Sequence, residues 1–154
     1  MDKKKLGIIV ALFVLTGFAM YFYIDSRIVD PFMIDASKAT IEKAAPDLLN
    51  TKQDYYFRLV NTSDKSVKLI DIELSGYSGI EVGKLSYKGT TPNGMEIPSH
   101  RVYNSNGWTT NNQGLDIDYV VTIKDPKIVN PKTATIIYSY FGLIHKQVIK
   151  IPGM

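Results

Sequence analysis

The sequence predicts an all-β protein, an immunoglobulin-like antiparallel β-sandwich of about seven strands preceded by one N-terminal transmembrane helix. Three observations predict it. Nineteen residues near the start, Leu6 to Ile24, carry no charge. From Asp54 onward, short stretches alternate apolar and polar residues, the period of half-buried strands. Turn formers separate these stretches at intervals of roughly 8–15 residues, as sandwiches require.

The first element is "MDKKKLGIIVALFVLTGFAMYFYID". At 1.5 Å rise per residue, nineteen residues give about 28 Å of helix, close to the hydrocarbon thickness of a bilayer. Tyr21 and Tyr23 stand at its far end, where aromatic side chains favour the water–lipid interface. Lys3, Lys4 and Lys5 precede the run and set its topology: the basic end stays in the cytoplasm and the rest faces outward. This divides the chain into a cytoplasmic tip (1–5), a signal anchor (6–24), a spacer (25–35) and an extracytoplasmic domain (36–154). A cleaved signal peptide is the competing reading, because Gly17 and Ala19 offer small side chains in the order G-F-A. The apolar run continues past them through Met20–Ile24, which favours the uncleaved anchor.

Residues 36–49 allow either a short helix capped by Ser37 and stopped before Pro46 or an edge strand with Ile41 inward. "DYYFRLVN" sets Tyr55, Phe57 and Leu59 against Tyr56, Arg58 and Val60. "SVKLIDIEL" follows a turn, and its apolar phase slips by one at Leu69–Ile70, which predicts a β-bulge. "IEVGKLSYK" breaks at Gly83, and "MEIPSHRVY" is edge-like because Pro98 has no N–H to donate. "LDIDYVVTI" alternates cleanly, with Tyr119 suited to a tyrosine-corner role. "TATIIYSYF" and "IHKQVIKIP" form a hairpin turning near residues 141–143.

Composition narrows the function classes. The formal charge is +3, from 18 basic and 15 acidic residues. Residues 1–24 hold three of those lysines and one aspartate, so the outer domain carries 15 and 14 and is nearly neutral. No basic stripe points to nucleic acid. The chain has no cysteine, so an exported domain must hold itself by its core.

Two stretches, "DYYFRLVNTSDKSVKLIDIEL" and "TIIYSYFGLIHKQVIKIP", resemble the small membrane-anchored extracytoplasmic immunoglobulin-like domains of Gram-positive bacteria. The resemblance rests on an aromatic strand, an Asn-Thr-Ser turn and a Tyr-rich terminal hairpin ending in Ile-Pro. It implies a location and a fold, and no activity.

Little in the chain suits catalysis. His100 and His145 lack ligand spacing, and the methionines do not cluster, so no metal or other cofactor is expected. Asp116 and Asp118 share a strand face about 7 Å apart, but alternation with Leu115, Ile117 and Tyr119 reads as a solvent face. Ser78 in "SGYSGI" lacks the spacing of a nucleophile elbow.

The stretch "YNSNGWTTNNQG" offers the one ligand-binding kit: Tyr103, Asn104, Asn106, Trp108, Asn111 and Asn112. An aromatic face with neighbouring amides suits the apolar side and hydroxyls of a sugar, so binding of a cell-wall glycan or small ligand through the Trp108 loop is the alternative. The same residues also suit an ordinary loop, with the tryptophan capping the sandwich core. The reading preferred overall is a non-catalytic, membrane-anchored binding or assembly module of the cell envelope. Its partners are the lipid bilayer, through residues 6–24, and another envelope protein met at an exposed sheet edge.

Overall fold

A computed structural model describes residues 3–27, 30–38, 46–104, 107–110, 114–140 and 142–152, with the backbone alone at 25–27, 101–104 and 107–110. The chain divides into two compact units, Met1–Pro31 and Phe32–Met154.

The first unit is one helix, α1 (Lys3–Arg27). Within it Lys3–Ile24 is long and apolar enough to cross a membrane. Its apolar side chains, Phe13 and Leu15 among them, lie exposed along its length, as expected of a surface whose solvent is lipid.

The second unit is built from strands. They are β1 (Phe32–Lys38), β2 (Lys52–Asn61), β3 (Val67–Ser75), β4 (Ile80–Ser86) and β5 (Glu96–Ile97), followed by β6 (Arg101–Asn104), β7 (Gly107–Thr110), β8 (Leu115–Ile123), β9 (Thr133–Tyr140) and β10 (Leu143–Lys150). A short 3-10 turn, Pro46–Leu48, precedes β2. One antiparallel sheet runs β1-β2-β8-β4, the second runs β10-β9-β3-β5, and β6-β7 form a separate ribbon. The first order matches A-B-E-D of a constant-type immunoglobulin sandwich, and β10-β9-β3 matches G-F-C. The fold is an immunoglobulin-like β-sandwich, with eight strands in its two sheets rather than seven.

Alternation explains which side chains fill it. Tyr55, Phe57 and Leu59 of β2 meet Ile117, Tyr119 and Val121 of β8, while Val67, Leu69, Ile72, Ile136 and Tyr138 close from the opposite sheet, all buried. Each such apolar side chain contributes roughly 1.5–3 kcal/mol on burial. Tyr55 and Tyr119 meet edge-on at 5.7 Å, and the Tyr55 hydroxyl donates to Asn130 Oδ1 at 3.1 Å. Burial raises the Tyr119 phenol above its ordinary value. Tyr119 therefore sits in the middle of β8, a core residue, and not at the strand corner that its position suggested.

Several local expectations hold. The β3 register shifts between Leu69 and Asp71, and the β4 register between Val82 and Leu85, which spans Gly83. The β9–β10 hairpin pairs Tyr140 with Leu143, and Gly142 takes φ 76° in the turn. The turn after β2 is organised by Asn61, only 1% exposed. Its amide donates to Lys65 O at 2.7 Å and Ile97 O at 3.2 Å, and its Oδ1 accepts from Ser63 N–H at 3.0 Å.

One expectation needs correction, and one open choice is resolved in part. The spacer 25–35 is shorter, because α1 runs to Arg27 and β1 begins at Phe32. Phe32 and Ile34 are core residues, and Phe32 packs edge-on against Tyr138 at 5.1 Å. Of the ambiguous stretch 36–49, residues 36–38 are strand and 46–48 a 3-10 turn, while 39–45 lie outside the described residues.

Candidate functional site

The sheet edges come first, since an edge was the expected contact. β1 and β10 flank one another, and their side chains close the gap. The buried Gln147 amide acts as a peptide surrogate: its Oε1 accepts from Phe32 N–H at 2.9 Å and its Nε2 donates to Phe32 O at 2.8 Å. Ser37 Oγ also donates to Pro152 O. Because 32 meets 147 and 37 meets 152, β1 runs alongside β10 in the same direction. β4 is interrupted by its bulge, where Gly83 comes so close to β8 that a Cβ would lie 3.0 Å from Val120 O. β5 is two residues long. These are recognised ways of blunting an edge, so the described edges give a partner strand little to extend.

The outer face of the second sheet differs. In β10 the side chains of Ile144, Lys146, Val148 and Lys150 point away from the core. Ile144 is 72% exposed and Val148 62%, the highest values for large apolar side chains among the described residues of this unit. The register aligns four outer rows across β10, β9 and β3: Ile144–Ser139–Lys68, Lys146–Ile137–Asp71, Val148–Thr135–Glu73 and Lys150–Thr133–Ser75. A shallow cavity of about 570 Å³ adjoins the first row, lined by Ser66, Lys68, Glu96, Ser139, Tyr140 and Gly142 among others.

The outer face of the first sheet and its margin hold both ion pairs found among the described residues. Arg58 Nε donates to Asp116 Oδ1 at 2.7 Å and its Nη2 to Oδ2 at 3.2 Å. Hydrogen bonding to Asp116, then its charge, raises the guanidinium above its ordinary value. Lys124 pairs with Glu81 at 3.3 Å. Asp116 is therefore an ion-pair partner, not half of a carboxylate dyad with Asp118.

The stretch expected as a loop is a β-ribbon. β6 and β7 pair with Tyr103 opposite Trp108 and Asn104 opposite Gly107. Asn106, Asn111 and Asn112 lie outside the described residues. His100 donates its N–H to Asn61 O at 2.9 Å, and His145 stacks on Tyr138 at 5.3 Å. Among the described residues no three His, Cys, Asp or Glu gather as metal ligands. Lys3, Lys4 and Lys5 form the first turn of α1.

No family model matches the chain. No curated protein matches it either. Among solved structures, the crystal structure of yeast GGA1_GAE domain-P21 is similar over 81% of this chain and 95% of that chain, at 14% identity and a TM-score of 0.44. The fold assignment rests on the strand order of this chain itself.

Proposed function

We propose that this chain is a non-catalytic binding or assembly module of the cell envelope, anchored by α1 and acting through protein–protein contacts. One observation carries the reading. Two large aliphatic side chains, Ile144 and Val148, stand exposed on one strand face, with lysines at the alternate positions and no covering element among the described residues. Exposed large apolar side chains set among polar ones are a signature of a contact surface.

Lysine footprinting on the full chain tests it. An amine-reactive reagent is applied in intact membranes and again after dispersal in detergent. Lys146 and Lys150 should be shielded in the membrane and become reactive on dispersal, while Lys52 and Lys84 react equally in both. Equal reactivity of all four in both states would overturn the reading.

A second reading is favoured by the ribbon register. Tyr103 and Trp108 occupy one rung, an arrangement suited to a cell-wall glycan. Titrating soluble peptidoglycan fragments while recording tryptophan emission tests it. A saturable shift supports this reading, and an unchanged spectrum removes it.

A further inference from the structure

Resting on the protein-contact reading above, we infer that the partner on the outer face of β10-β9-β3 is a second copy of this chain. The two copies are related by a two-fold axis running along the strands.

The layout of charge selects this occupant. β10 contributes Lys146 and Lys150 to the face, and β3 contributes Asp71 and Glu73, with Lys68 alone in the first row. β9 between them carries Ser139, Ile137, Thr135 and Thr133, without charge. Basic and acidic columns thus stand two strand spacings apart, about 10 Å. That is about one screening length at physiological salt, so they neutralise each other weakly within one copy. No ion pair between these columns occurs among the described residues, whereas both ion pairs that do occur join residues of the first sheet and its margin. A two-fold interface uses the same patch twice and must be complementary to itself. This face is: it is basic along β10, acidic along β3 and uncharged along β9 between them.

Geometry then selects the axis. Rotation about the strand direction exchanges the outer columns, so β10 of each copy lies over β3 of the other. Lys146 then faces Asp71, Val148 faces Glu73 with Lys146 and Lys150 on either side of it, Ile144 lies over the aliphatic stem of Lys68, and the two Ile137 positions meet on the axis. Rotation about the perpendicular in-plane axis would stack β10 on β10 and β3 on β3, bringing the basic columns together and the acidic columns together, which costs association energy. The first axis also leaves the N-terminal ends of both domains facing one way, as two chains anchored in one bilayer need. The second sends them opposite ways. Charge and anchoring, which are independent, choose the same operator.

The face measures roughly four rows by three strands, so a pair buries on the order of 800 Å² in total, below the range of stable soluble complexes. Confinement to one membrane raises the effective concentration and compensates for a weak contact. The dimer should therefore form in bilayers and dissociate on dilution in detergent.

The test uses the full chain in bilayers at low protein-to-lipid ratio. The absence of native cysteine leaves engineered ones unambiguous. Val148→Cys and Glu73→Cys are placed in separately tagged copies and joined with a short bis-maleimide. The mixed product should exceed the Val148→Cys self-product at least tenfold. In a second arm, with cysteine at 148 in every copy and a longer bis-maleimide, Lys146→Glu alone and Asp71→Lys alone should each lower self-association at least tenfold. Mixing those two variants should restore pairing, because the carboxylate introduced at 146 of one copy then meets the ammonium introduced at 71 of the other, while the remaining Asp71 and Lys146 still face each other. Lys146 is exposed and Asp71 half-buried, and matched melting curves confirm that folding is kept. Dominant self-products at 148, or charge variants that pair like the parent, would overturn the inference. Capture of a different protein at 148 would also overturn it while leaving the contact reading intact; loss of the lysine footprint would remove both.

Discussion

The two outer faces of this sandwich handle charge in opposite ways. On the β1-β2-β8-β4 sheet, Arg58 grips Asp116 through two hydrogen bonds and Glu81 is paired with Lys124. On the β10-β9-β3 sheet, basic residues line one strand, acidic residues another, and Ile144 and Val148 stand out in solvent. Both ion pairs among the described residues belong to the first face and its margin, and the second face has none. One fold can thus keep an inert face and a sticky one, because strand alternation lets each face be written separately.

The frame that both faces share should break most readily. Gln147→Leu would leave Phe32 N–H and C=O without their partners in a buried seam. Each such group costs about 1–3 kcal/mol, so a loss of roughly 2–4 kcal/mol is expected in chemical unfolding. Glu or His at 147 should recover part of it; equal loss in every variant would point to packing instead.

Gly83→Val comes next and touches the quiet side alone. Its Cβ would press on Val120 O, a backbone atom that cannot move aside. About 1–3 kcal/mol should be lost, as in other overpacked sites, with the Lys146 footprint unchanged in the surviving folded protein.

The sticky face should show the reverse pattern. The double variant Ile144→Glu, Val148→Glu should change folding stability by less than about 0.5 kcal/mol, as exposed positions do. It should nonetheless abolish membrane-dependent shielding of Lys150. Shielding that survives would separate the apolar strip from the contact.

Arg58→Ala should do least. The pair is exposed, and solvent screening leaves such pairs little weight in stability. Neither the footprint nor cross-linking at 148 should change.

Much of this was legible in the sequence, and the exceptions share a cause. The helix, the bulge at Leu69–Ile70, the break at Gly83 and the final hairpin all announce themselves within a few residues. β1 does not: its burial depends on Gln147, 115 residues away, and its own string mixes Asp35, Ser37 and Lys38 with only Phe32 and Ile34 inward. The ribbon at β6–β7 hid among turn-forming residues that read as loop. The outer face of β10 hid for a more instructive reason. In β10 polar Gln147 is buried and apolar Val148 is exposed, so alternation shows which residues share a face, and hydrophobicity assigns the inner one wrongly. A sheet edge was the expected contact, and of the described edges the β1–β10 seam is the one this glutamine bridges.

The central claim is that the outer face of β10-β9-β3 is where this protein meets protein. The most direct measurement places a photoreactive side chain at position 148 or, on the opposite face, at 118 in the full chain in its native membrane. Irradiation should yield a discrete protein adduct from 148 and none from 118. Adducts from 118 alone, or none from either position in correctly folded protein, would contradict the account.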